Sequence, residues 1–88
     1  SHTLDPQKLK TDSDRALEIA SKDALFSHVK LDASQMWLEH GDEGPTWKVR
    51  LWAESLAHPD HDVDIGDIYI LAENGSVLRR DIHIDRVN

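Results

Sequence analysis

Alternation between apolar and polar side chains is cleanest in the middle of the chain. In Thr46-Trp47-Lys48-Val49-Arg50-Leu51-Trp52-Ala53-Glu54, Trp47, Val49, Leu51 and Ala53 fall on one side and Lys48, Arg50, Trp52 and Glu54 on the other. A period of two belongs to a strand with one face buried. Pro45 suits a place just before such a strand, where its missing N–H costs least. Gln35-Met36-Trp37-Leu38-Glu39 reads as a second strand, with Met36 and Leu38 on one face. Gly41-Asp42-Glu43-Gly44-Pro45 between them is turn-forming, so residues 34–54 are predicted to be a hairpin. Residues 27–33 alternate weakly and fit either a connection or a short strand.

Upstream the period changes to that of a helix. Thr11 or Asp12 offers a side-chain oxygen to cap its start, and Asp12 and Asp14 oppose the positive end of the helix dipole. At about 100° per residue, Ala16, Leu17, Ile19, Ala20, Ala24 and Phe26 share one arc, into which Asp23 intrudes. Ala16, Ala20 and Ala24 recur every fourth position, a narrow stripe that permits close approach to a sheet. Residues 1–11 contain Pro6 and no apolar period and read as a tail, leaving 12–88 as one domain. Ser1-His2 reads as the remnant of a cleaved tag, compatible with a leader or membrane anchor having preceded it.

Downstream, residues 58–66 read as a polar loop. Residues 67–72 and 77–87 then form a second hairpin around Glu73-Asn74-Gly75. A two-residue Asn-Gly turn would pair Ile70 with Arg79 and Ile68 with Asp81. A three-residue loop with Gly75 in the left-handed region instead pairs Ile70 with Leu78 and Ile68 with Arg80, and keeps Ile68, Ile70, Leu78, Ile82 and Ile84 on one face. The predicted fold is therefore α+β: one N-terminal helix packed on one face of a four-stranded antiparallel meander, against Trp47, Val49, Leu51, Ile68 and Ile70. The open face then presents Lys48, Arg50, Trp52, Tyr69, Leu71, Val77 and Arg79.

Composition narrows the function classes. The net charge of −7, from 17 acidic and 10 basic residues, disfavours nucleic acid and anionic membranes as partners, because both need a concentrated basic patch. No apolar run approaches the ~18 residues of a membrane span, and no stretch reads as a signal peptide. Cysteine is absent, so neither disulfides nor thiolate metal sites are expected.

Ligand-type residues are dense only in His58-Pro59-Asp60-His61-Asp62-Val63-Asp64-Ile65-Gly66-Asp67. Asp60, Asp62 and Asp64 alternate as in a calcium loop, but the glycine is late and the closing glutamate is missing. His58 and His61 suit zinc only with further convergent ligands. A solvated acidic loop and a divalent-cation site are the two readings, and no cofactor is expected on the first. The six histidines are scattered and suit a pH response. Ser34, Ser55 and Ser76 sit in no nucleophile motif, so no enzyme activity is predicted. Trp52 carries the sharper signal. On the open face near Arg50 and Tyr69, it has the make-up of a binding hot spot for a protein, a peptide or a second copy of the chain.

Three segments also resemble PepSY-type domains. Asp12-Ser13-Asp14-Arg15-Ala16-Leu17-Glu18-Ile19-Ala20 resembles the opening helix of that family, and Pro45-Thr46-Trp47-Lys48-Val49-Arg50-Leu51 its tryptophan-containing central strand. Ile68-Tyr69-Ile70-Leu71-Ala72-Glu73-Asn74-Gly75-Ser76-Val77-Leu78 resembles its final hairpin, although Ala72-Glu73-Asn74 stands where an aspartate often precedes the glycine. The resemblance implies a cystatin-like α+β fold, an extracytoplasmic setting (periplasmic or secreted) and a non-enzymatic role. That role is restraining a peptidase, binding another protein, or forming part of a larger envelope protein. It brings no catalytic residues.

Overall fold

The computed structural model describes residues 11–23, Phe26 and residues 28–88. The expected tail over residues 1–10 and the place of Ala24 in the helical stripe lie outside the described residues. The rest is an α+β fold: helix α1 (Ser13–Ser21) followed by strands β1 (Leu31–Gly41), β2 (Gly44–Glu54), β3 (Asp62–Leu71) and β4 (Val77–Ile82), then a 3-10 turn over Ile84–Val87. The strands form one antiparallel sheet in the order β1-β2-β3-β4. Among the described residues no helix is long and apolar enough to cross a membrane.

Asp12 caps α1, its carboxylate accepting the backbone N–H of Arg15 at 2.9 Å. Thr11, assigned to the tail by its sequence, is instead tied into the domain. It is buried, its N–H donates to Ala72, and its carbonyl accepts the Trp47 indole N–H at 2.9 Å. The helix is shorter than its apolar arc. It closes at Lys22, whose N–H donates to Glu18 while the Asp23 N–H donates to Ala20, and Phe26 reaches the core from the connection that follows. Asp23 interrupts the apolar arc because it serves another purpose: its carboxylate accepts Arg80 Nε at 2.6 Å.

Ala16 and Ala20 lie with Val49, Leu51, Ile68 and Ile70 in one core cluster, all fully or almost fully buried. Trp47 packs at its margin. The alanines bring the helix backbone down onto the sheet, and the branched side chains of β2 and β3 supply the buried area, each contributing roughly 1.5–3 kcal/mol.

Three bulges adjust the expected registers. Asp32 is an extra residue between the Leu31–Ala53 and Ala33–Trp52 pairs. Ile65 is extra between the Leu51–Gly66 and Trp52–Asp64 pairs. β3 therefore starts at Asp62, and half of the stretch expected as a polar loop is strand. Gly66 makes that bulge possible: its φ is +117°, and a Cβ there would collide with the Asp81 carbonyl oxygen.

Leu78 is the third bulge, between the Tyr69–Arg79 and Ile70–Val77 pairs. The connection before it is one residue longer than expected, since Leu71 N–H donates to Ser76 and Gly75 N–H returns to Leu71. The bulge absorbs the extra residue, so Ile68 pairs with Arg80 as expected while Ile70 meets Val77 instead of Leu78. Gly75 adopts the left-handed φ of +78° foreseen for it, and a side chain there would also crowd Ile19 at 3.1 Å. β4 stops at Ile82, and Ile84 packs on the core from the 3-10 turn, not from a strand.

Leu51 is only 1% exposed, so Leu51→Ala should cost roughly 2–5 kcal/mol. Leu56→Ala, at a side chain 64% exposed, should stay within about 0.5 kcal/mol. Urea melts of the two variants check both values, and with them the face assignment of β2.

Candidate binding face

The sheet face turned away from α1 is built by the second half of the same alternation. Cross-strand pairing puts Trp37, Lys48, Tyr69 and Arg79 in one row, one from each strand. Aromatic and cationic side chains alternate along it. Lys48 Nζ lies 5.6 Å from the Trp37 ring centre and 6.0 Å from that of Tyr69. The Arg50 guanidinium lies 5.3 Å from Trp37, and that of Arg79 4.5 Å from Tyr69. These are cation–π distances, worth about 0.5–1 kcal/mol each at exposed sites.

The next row is Gln35, Arg50, Asp67 and Asp81. Arg50 donates to both carboxylate oxygens of Asp67, at 2.9 and 3.4 Å, and Asp67 itself is buried. The hydrogen bond to Asp67, and then its charge, push the Arg50 guanidinium above its ordinary range. Arg50 is thus a fixed cation, held from below by Asp67 and lying over Trp37. At the turn end of the face, Glu39, Asp42 and Glu43 stand across a shallow groove of about 440 Å³ from Tyr69, Leu78 and Arg79.

Lys48, Arg50, Tyr69 and Arg79 stand on this face as expected. Trp52 is there too, half-buried between Ala33 and Asp64, but two rows away from Tyr69. The tryptophan that meets the cations is Trp37, which the sequence reading did not single out. Its signal was present: with Met36 and Leu38 facing the helix, Trp37 must face away.

Two expected members are corrected. Leu71 lies opposite Thr46 but is only 8% exposed, its side chain reaching toward Gly44 at the start of β2. Val77 pairs with Ile70 on the helix side and packs on the core. Leu78, expected in the core, takes the exposed place, since the bulge exchanges the two residues.

The Asp/His segment does not converge. His58 and His61 stack edge to face at 6.1 Å, and His61 Nε2 is 3.7 Å from Asp60, all in solvent. Asp62 lies opposite Glu54 at the start of β3. Asp64 accepts the Gly66 N–H at 2.8 Å. Among the described residues, no three histidines or carboxylates are grouped to hold a metal ion. For Asp62 and Asp64, the alternation read as ligand spacing is strand alternation.

No protein-family model matches the chain, and no curated protein or solved structure matches it.

The same end of the sheet carries an unfavourable charge contact. Asp62 is pushed above its ordinary 3.8 first by a hydrogen bond with Asp32, then by some loss of hydration and by the charges of Asp32 and Glu54. A carboxyl whose folded pKa is raised binds its proton more tightly folded than unfolded. It therefore withholds stability at neutral pH and returns it as pH falls through the folded pKa. Asp62→Asn, which keeps a hydrogen-bond donor for Asp32 and removes the charge, should raise the melting temperature at pH 7. The gain should shrink as pH falls through the carboxylate range and be gone below 3.8. Thermal melts of both proteins across that range check the sign.

Proposed function

We propose that this protein is a non-enzymatic, PepSY-like binding module that acts outside the cytoplasm and takes a segment of a protein partner, a peptidase among the candidates, onto the open face of its sheet. The observation that carries the reading is the row Trp37–Lys48–Tyr69–Arg79, with Arg50 beside it, on the face opposite the helix. Aromatic rings flanked by arginine are the residue types that dominate binding energy at interfaces. The cations here already lie on π faces, so a partner's aromatic or carboxylate group can take over contacts already arranged. The groove at the turn end adds an acidic wall opposite Arg79, which orients a segment carrying both charge signs. The extracytoplasmic setting and the peptidase rest on the PepSY resemblance of the helix, central strand and final hairpin.

Panning the whole protein against a random peptide library tests the reading. Selected peptides should shift the amide resonances of residues 37, 48, 50, 69 and 79. Trp37→Ala should weaken them by about 2 kcal/mol or more, while changing folding stability by much less than Leu51→Ala does. Shifts confined to α1 or to residues 58–61, or affinity indifferent to Trp37, would refute it.

A further inference from the structure

The two edges of the sheet are built differently. β4 is six residues long, carries Arg79, Arg80 and Asp81, and is broken by the bulge at Leu78. Charges, short length and bulges keep foreign strands from pairing. β1 runs for eleven residues, and Ala33-Ser34-Gln35-Met36-Trp37-Leu38 contains no charge, glycine or proline. Beyond Asp32 it stays in unbroken register with β2. Among the described residues no strand pairs with its outer side, so its outward N–H and C=O groups form a template. Beside it the helix leaves a recess of about 220 Å³, lined by Leu17, Leu31 and Leu51 with Ser21, Asp32 and Ser34 at its polar side.

We propose that a second copy of this chain pairs its β1 antiparallel with β1, about a two-fold axis through Met36, so that the two sheets become one. Opposed residues of an antiparallel pair share a face, so a two-fold axis must pass through a residue and not between two. Three residues are central enough to be considered. An axis through Gln35 sets Asp32 against Leu38 and Glu39 against Leu31. One through Trp37 sets Gln35 against Glu39 and brings Asp32 toward Asp42 of the second copy. The axis through Met36 avoids both conflicts. It sets Leu38 of each copy opposite Ser34 of the other, on the helix side and beside the recess. It also sets Trp37 opposite Gln35, and brings His40 toward Asp32. Each contact occurs twice, as an isologous interface requires. The pairing rests on the outward backbone groups of β1, so this assignment does not depend on the function proposed above, although Trp37 borders both surfaces.

With no cysteine in the chain, introduced thiols report the register directly. Under mild oxidation, Met36→Cys should yield a disulfide-linked dimer, since opposed Cα atoms lie about 4.5–5.5 Å apart. Ser34→Cys and Leu38→Cys should each stay uncrosslinked alone and crosslink when mixed. In sedimentation, the parent should dimerise with concentration. Ala33→Glu, which sets a carboxylate opposite Glu39 of the second copy, should weaken the dimer about fivefold. Adding Glu39→Lys should restore it, with unchanged melts showing that each variant is folded. A parent that stays monomeric at its highest soluble concentration overturns the proposal. So does Ser34→Cys crosslinking alone as readily as Met36→Cys. A dimer indifferent to Ala33→Glu but broken by Arg79→Glu also overturns it.

Discussion

One nine-residue helix has to cover a four-stranded sheet, and it can cover only one side. Everything else in the fold adjusts to that limit. Ala16 and Ala20 let the helix backbone approach, so that Val49, Leu51, Ile68 and Ile70 lose contact with water. Where the helix ends too soon, other pieces finish the cover: Phe26 from the connection and Val87 from the C-terminal 3-10 turn both enter the same core. The margin along β1 is left with a recess lined by Leu17, Leu31 and Leu51 together with polar side chains.

The uncovered side answers the same limit with different physics. Among the described residues no element covers Trp37 and Tyr69, and Lys48, Arg50 and Arg79 lie across their rings. Such contacts are worth about 0.5–1 kcal/mol each when exposed, against roughly 1.5–3 kcal/mol for each large side chain buried beneath the helix. Stability therefore resides on the helix side. The open face holds contacts weak enough to be broken at little cost to the fold. Arg50 is the exception, because the buried Asp67 carboxylate holds it in place and an uncompensated buried charge would be costly.

The acidic excess follows the perimeter of this arrangement. Glu39, Asp42 and Glu43 gather at one end of the sheet. Asp32, Glu54 and Asp62 gather at the other, close enough to raise the Asp62 pKa. Lys30 offsets part of that charge, 3.5 Å from Glu54. Pairs this exposed contribute little to stability, and their larger effect is on which charged surfaces approach the sheet.

The helix with a cap at Thr11 or Asp12, the meander, the faces of β2, and the open-face places of Lys48, Arg50, Tyr69 and Arg79 were all legible in the chain itself. These were legible because each depends on an unbroken local period, and β2 alternates without interruption from Thr46 to Glu54. Trp37 was legible by the same rule, since Met36 and Leu38 fix its side. The bulges were not legible in this way. At Asp32, Ile65 and Leu78 one extra residue reverses which positions face the helix. Alternation therefore fades over residues 27–33, the strand at 62–66 has the polar pattern of a loop, and Val77 and Leu78 exchange faces. A bulge is defined by two residues opposing one on the neighbouring strand. No single strand's own sequence contains that information. It exists only once the neighbouring strand is in register beside it.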